Sequence, residues 1–115
     1  MQIIKNELLN EQVYQEKLDN NMNVFFMPKQ GFTKKYAVLA TDYGSNDLEF
    51  ISPHTNKKIR VNEGIAHFLE HKMFEQPDGS NAFDEFAKIG ANANAFTNFN
   101  MTAYLFSSTE NFNEG

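Results

Sequence analysis

The sequence predicts an α+β fold, an antiparallel-dominated mixed sheet with helices packed on one face. Three observations carry that prediction. Residues rich in β-formers dominate the first third of the chain, two helical patterns occupy residues 62–90, and an alternating apolar stretch follows over residues 92–108. The 115 residues, 41% hydrophobic and 22% charged, match one globular domain or part of one.

Taken in order, VYQEKLDNNMNVFFMP reads as two strands meeting at Asp19-Asn20-Asn21, polar residues that tolerate the dihedrals of a tight turn. KKYAVLATDYGS, residues 34–45, is a third strand ending at Gly44. Residues 46–61 form a connector or small hairpin with Pro53 and Asn56 as turn residues. A first helix is expected from near Asn62 to about Glu75, stopping before Pro77. Ser80 is placed to N-cap a second helix, AFDEFAKI, closed by Gly90. NANAFTNFNMTAYLFSS, residues 92–108, alternates as one long strand, with Ala95, Thr97, Phe99, Met101, Ala103 and Leu105 on one face. SSTENFNE resembles the start of a further helix.

Composition removes several functions. The formal net charge is −5 and the ten basic residues form no stripe, so a nucleic-acid partner is not expected. The absence of Cys excludes disulfides and thiolate metal sites. MQIIKNELLNEQ has no apolar run suited to a signal peptide and no later segment could span a membrane as a helix, which makes a cytoplasmic location the expectation.

The chemistry concentrates in GIAHFLEHKMFE, residues 64–75, which holds two of the three histidines with Glu70 between them. On a helix His71 lies about 40° around the axis from His67 and Glu70 about 60° the other way, so the three share a face. Ile65, Leu69 and Met73, with Phe68 nearby, fall opposite and are expected to anchor the helix in the core. Two imidazoles one turn apart can both reach one Zn²⁺, and a carboxylate beside them can take a proton from a metal-activated water. The bland alternative is an exposed helical Glu-His pair.

GIAHFLEHKMFE resembles the signature of the pitrilysin, or insulinase, family of zinc metallopeptidases, the inverzincins, whose motif is H-x-x-E-H. NAFTNFNMTAYLF, residues 94–106, is similar to that family's N-A-x-T-x-x-x-x-T-x-Y-x-F strand, and the two motifs follow in the expected order. The resemblance covers roughly residues 12–110 and is to bacterial-type members. It implies a zinc-dependent endopeptidase acting on peptides or small unfolded proteins, with His67 and His71 as zinc ligands and Glu70 as the catalytic general base. It makes Asn94, Ala95 and Phe96 part of an edge strand to which an extended peptide adds. Read without the family, that strand could equally be an ordinary sheet member.

The resemblance places the third zinc ligand, a glutamate, far downstream, beyond Gly115. Residues 1–115 are therefore expected to be an incomplete N-terminal part of a pitrilysin-type domain, a truncated processing-peptidase-like half, inactive alone. A homo- or heterodimer with a related subunit fits the family too. The alternative function is a non-catalytic pitrilysin-like subunit or binding module that pairs with an active partner, against which the intact His67, Glu70 and His71 argue. S-ribosylhomocysteine lyases use a similar motif but add a Cys ligand, which this chain lacks.

Overall fold

Polar turns fold the first thirty residues back on themselves twice. β1 (Gln2–Asn6), β2 (Glu11–Lys17) and β3 (Asn23–Phe26) form an antiparallel sheet in that order. The β2–β3 turn is closed by Leu18 N–H donating to Met22 C=O at 2.9 Å, with Asn21 in the left-handed region at φ 67°. Asparagine tolerates that conformation because its short polar side chain bonds locally. The turn matches the sequence expectation; β1 was not foreseen. The computed structural model describes residues 1–114, which divide into two compact units, Met1–Phe32 and a second that begins at Thr33.

The second unit carries β4 (Lys35–Thr41), a ribbon of β5 (Glu49–Ile51) and β6 (Lys58–Arg60), α1 (Ile65–Met73), α2 (Ala82–Lys88), β7 (Asn92–Thr97) and β8 (Thr102–Ser108). Its main sheet has the order β4-β8-β7, and every strand pairing among the described residues is antiparallel. The α+β class holds, with α1 packed over β7 and β8 and α2 over β7. Phe112–Glu114, within the SSTENFNE stretch expected to start a further helix, is a 3-10 turn, and Phe112 stacks on Phe106 at 4.9 Å.

Three expectations change in detail. The long strand over residues 92–108 is a hairpin. Asn98 N–H donates to Met101 C=O at 2.9 Å, while Asn98 Oδ1 accepts the N–H groups of Asn100 and Met101 at 3.0 and 2.8 Å. One asparagine side chain thus makes a turn inside a stretch whose alternation reads as unbroken. The turn also changes which residues share a face. Thr97 opposes Thr102 and Ala95 opposes Tyr104, so Ala95 and Thr97 lie with Thr102, Tyr104 and Phe106, and Ala103 and Leu105 point the other way.

Helix α1 starts at Ile65 rather than near Asn62, because Gly64 sits at φ 83°, where a right-handed helix cannot include it. Helix α2 is capped by Asn81, whose Oδ1 accepts the Phe83 N–H at 2.9 Å, and not by Ser80. The Ser80 hydroxyl and amide are already committed to Asp78 Oδ1 at 2.6 and 2.9 Å. Those two bonds hold the Asp78 carboxyl below its ordinary range.

The loop after β4 grips the hairpin turn. Ser45 and Asn46 donate their N–H groups to Asn98 C=O and Phe99 C=O at 2.9 and 3.0 Å. Gly44 is buried there, and a Cβ on it would meet Phe99 C and O and Asn100 N at 2.5 Å. All three are backbone atoms, so the cost of a side chain cannot be met by a rotamer change. Gly44→Ala is therefore expected to destabilise the chain by about 1–3 kcal/mol. Urea denaturation should show a lower midpoint, and an unchanged midpoint would contradict the close approach.

Candidate metal centre

Which way α1 faces is decided by three residues on one line of the helix. Ala66, Glu70 and Phe74 are buried, whereas Leu69 and Met73 are 46% and 60% exposed. The expected apolar anchor of Ile65, Phe68, Leu69 and Met73 is thus turned outward, uncovered by any element among the described residues. The small Ala66 lets the helix approach the sheet, and Glu70 finds a donor there. Thr97 Oγ1 donates to Glu70 Oε2 at 2.7 Å, across the sheet face set by the hairpin. A carboxylate only 8% exposed requires such a partner, since burying it without one costs several kcal/mol.

Rotating Glu70 inward leaves His67 and His71 at the helix edge. Their Nε2 atoms are 3.0 Å apart and their ring centroids 4.8 Å, both rings exposed. One ligand atom each from His67, Glu70 and His71 lies within 4.8 Å of the others. Two Zn–N bonds of about 2.0–2.1 Å span a gap of this size, and convergent Nε2 atoms with the protons on Nδ1 are a donor set suited to Zn²⁺. The residues present fit the ion. His54 lies in the β5–β6 loop and is not in the cluster.

The cluster opens on a cleft of about 530 Å³ that is also lined by Phe74, Phe83 and residues 94–97 of β7. Phe74, at the end of α1, stacks on Phe83 of α2 at 4.1 Å and meets Tyr104 of β8 at 5.9 Å. This one ring ties both helices to the sheet. Tyr104 is close enough to the cluster for the Glu70 charge to act on it: burial pushes its phenol above the ordinary value, and the carboxylate pushes the same way.

Strand β7 is at the sheet edge among the described residues, pairing only with β8. The Asn98–Met101 hydrogen bond fixes the alternation of the ladder, so Phe96–Ala103 and Asn94–Leu105 are the hydrogen-bonded pairs. The N–H and C=O groups of Ala95 and Thr97 then point away from β8. Ala95 N–H is satisfied by Asn94 Oδ1 at 2.9 Å.

The structure therefore brings His67, Glu70 and His71 together and has Asn94, Ala95 and Phe96 line the same cleft. Thr97, Phe74 and Phe83 belong to the same surroundings and were not singled out by the sequence. For Thr97 a signal existed, as the last residue of N-A-x-T; the two rings look like ordinary core residues.

Comparison with known proteins places this helix and strand within a family of peptidases. Residues 57–113 match the insulinase family model, peptidase family M16. The chain is 54% identical over 108 residues to YmfH of Bacillus subtilis, described as an uncharacterized zinc protease, covering 94% of this chain and 25% of that protein. It is 29% identical over 90 residues to AlbF of the same organism, provisionally described as a zinc protease, covering 78% of this chain and 20% of AlbF. A crystal structure from Alicyclobacillus acidocaldarius, provisionally described as an M16-like peptidase, superposes with a TM-score of 0.80 at 40% identity, covering 94% of this chain and 25% of that one. This chain belongs to the insulinase family of peptidases. It spans a fifth to a quarter of the length of these relatives.

Because Phe74 joins α1, α2 and β8, Phe74→Ala is expected to cost about 3–5 kcal/mol. Chemical denaturation should show the loss together with weakened near-ultraviolet ellipticity. A loss below about 1 kcal/mol would mean the stacked ring is not what holds the helices.

Proposed function

We propose that this segment supplies two zinc ligands, the general base and the substrate-binding strand of a zinc-dependent endopeptidase acting on peptides or small unfolded proteins. The observation that carries the reading is the juxtaposition of the His67 and His71 Nε2 atoms, 3.0 Å apart, with the Glu70 carboxylate in a cleft walled by an edge strand. Zinc, when bound, supplies Lewis acidity that polarises a peptide carbonyl and makes water acidic near neutral pH.

The protein's own residues do the remainder. His67 and His71 hold the ion. Glu70, pinned through Oε2 and short of solvent, takes a proton from water and returns it to the leaving amine. An extended peptide adds to β7, its carbonyl replacing Asn94 Oδ1 on the outward Ala95 N–H, with Asn94 and Phe96 flanking it. Main-chain pairing of that kind gives affinity without demanding one sequence. Two histidines fall short of the three protein ligands of a catalytic zinc, so we infer that residues 1–115 are inactive in isolation and that the rest of the site comes from elsewhere in the enzyme.

In the full enzyme chain, Glu70→Gln keeps an oxygen acceptor for Thr97 and removes the base. Peptidase activity is expected to fall roughly 10²–10⁴-fold with zinc content retained, while His67→Ala loses the zinc. Zinc loss in Glu70→Gln would make Glu70 a ligand instead. For the strand, Ala95→Pro deletes one outward N–H and leaves the ladder to β8 intact. The cost of one main-chain hydrogen bond predicts a KM higher by about 2- to 10-fold with kcat nearly unchanged. An unaltered KM across several peptides would rule out pairing at Ala95.

A further inference from the structure

Thr97 has a single proton, and the geometry says where it goes. A hydroxyl donates once, so the bond from Thr97 Oγ1 to Glu70 Oε2 at 2.7 Å uses that capacity. The neighbouring Thr102 hydroxyl, directly opposite Thr97 across the hairpin, donates its own proton to Tyr43 C=O at 2.8 Å. Thr102 Oγ1, 3.4 Å from Thr97 Oγ1, is a second acceptor within reach, but the charged carboxylate at 2.7 Å is the nearer and stronger one. Tyr43 lies next to Gly44, whose loop grips the hairpin turn through Ser45 and Asn46. Thr97 thus holds the carboxylate from a hairpin whose other strand Thr102 fastens to the backbone of the β4 loop.

We propose that Thr97 is the positioning residue for Glu70: it pins Oε2 so that Oε1 is the oxygen presented beside the His67 and His71 nitrogens. This rests on Glu70 being the base. A glutamate has three side-chain torsions, and without the Thr97 donor a buried carboxylate would turn in search of another partner.

The test uses the full zinc-loaded enzyme and four variants. Thr97→Val keeps the shape and removes the hydroxyl, and Thr97→Ser keeps the hydroxyl. The other two are Glu70→Gln and the double variant that combines Thr97→Val with Glu70→Gln. Thr97→Val should lower kcat by about 10- to 100-fold with KM and zinc content unchanged, as for other partners that orient a reacting group. Thr97→Ser should recover most of that loss, and adding Thr97→Val to Glu70→Gln should cost little more, because there is no base left to aim. An unchanged kcat in Thr97→Val, an equal loss in Thr97→Ser, a loss of zinc, or full additivity with Glu70→Gln would each overturn the assignment. Full activity in Glu70→Gln would instead overturn the underlying reading of Glu70, which separates the two failures.

Discussion

A carboxylate placed between a helix and a sheet constrains both, because where little water reaches it must be hydrogen-bonded by the protein. The Thr97–Glu70 bond is that constraint here. It selects the rotation of α1 in which Ala66, Glu70 and Phe74 face the strands. The histidines then come to the helix edge with their Nε2 atoms converging. A helix turned to bury Leu69 and Met73 on the sheet would have carried the same H-x-x-E-H sequence and presented it differently. The small side chain of Ala66 permits the close approach and the Phe74–Phe83 stack holds it at the other end, so one polar and one aromatic contact fix the orientation together.

The second determinant is the hairpin. Had residues 92–108 run as one strand, Thr97 and Thr102 would lie on opposite faces, five residues apart. Folding back at Asn98 makes them cross-strand neighbours on the helix side. The same turn decides which backbone groups of β7 face outward, so the polar network under Glu70 and the free edge lining the cleft have one origin. Gly44 matters for that reason. Its missing side chain lets the β4 loop close on the turn that sets both.

The α+β class, the β2–β3 turn and the histidine–glutamate helix were legible because each has a local signature: alternation, a polar turn and paired chemistry on one helical turn. The alternation of residues 92–108 hid the hairpin, since the only turn signal is asparagine and Phe99 and Met101 continue the apolar pattern. Ser80 looked like the cap because serine suits the position, and only the Asp78 contacts reveal that its hydroxyl is already used. The outward face of α1 misled for a physical reason. An apolar stripe says that a helix covers something, without saying which part of the protein it covers. Within these 115 residues the side toward the sheet is the one carrying an acid.

The pairing of β4 with β8 has a consequence for how the chain reaches this state. Thr41 opposes Thr102, so zipping the two strands together closes a loop of about sixty residues, whereas β7, β8 and both helices meet through short connections. Local units of that kind form early and long-range strand pairing follows. The helix–hairpin unit can thus assemble before the β4 edge is occupied, leaving β8 briefly open on one side. An open, apolar strand edge is where another chain can add in register. Until β4 docks, that edge of β8 is the backbone another strand can reach.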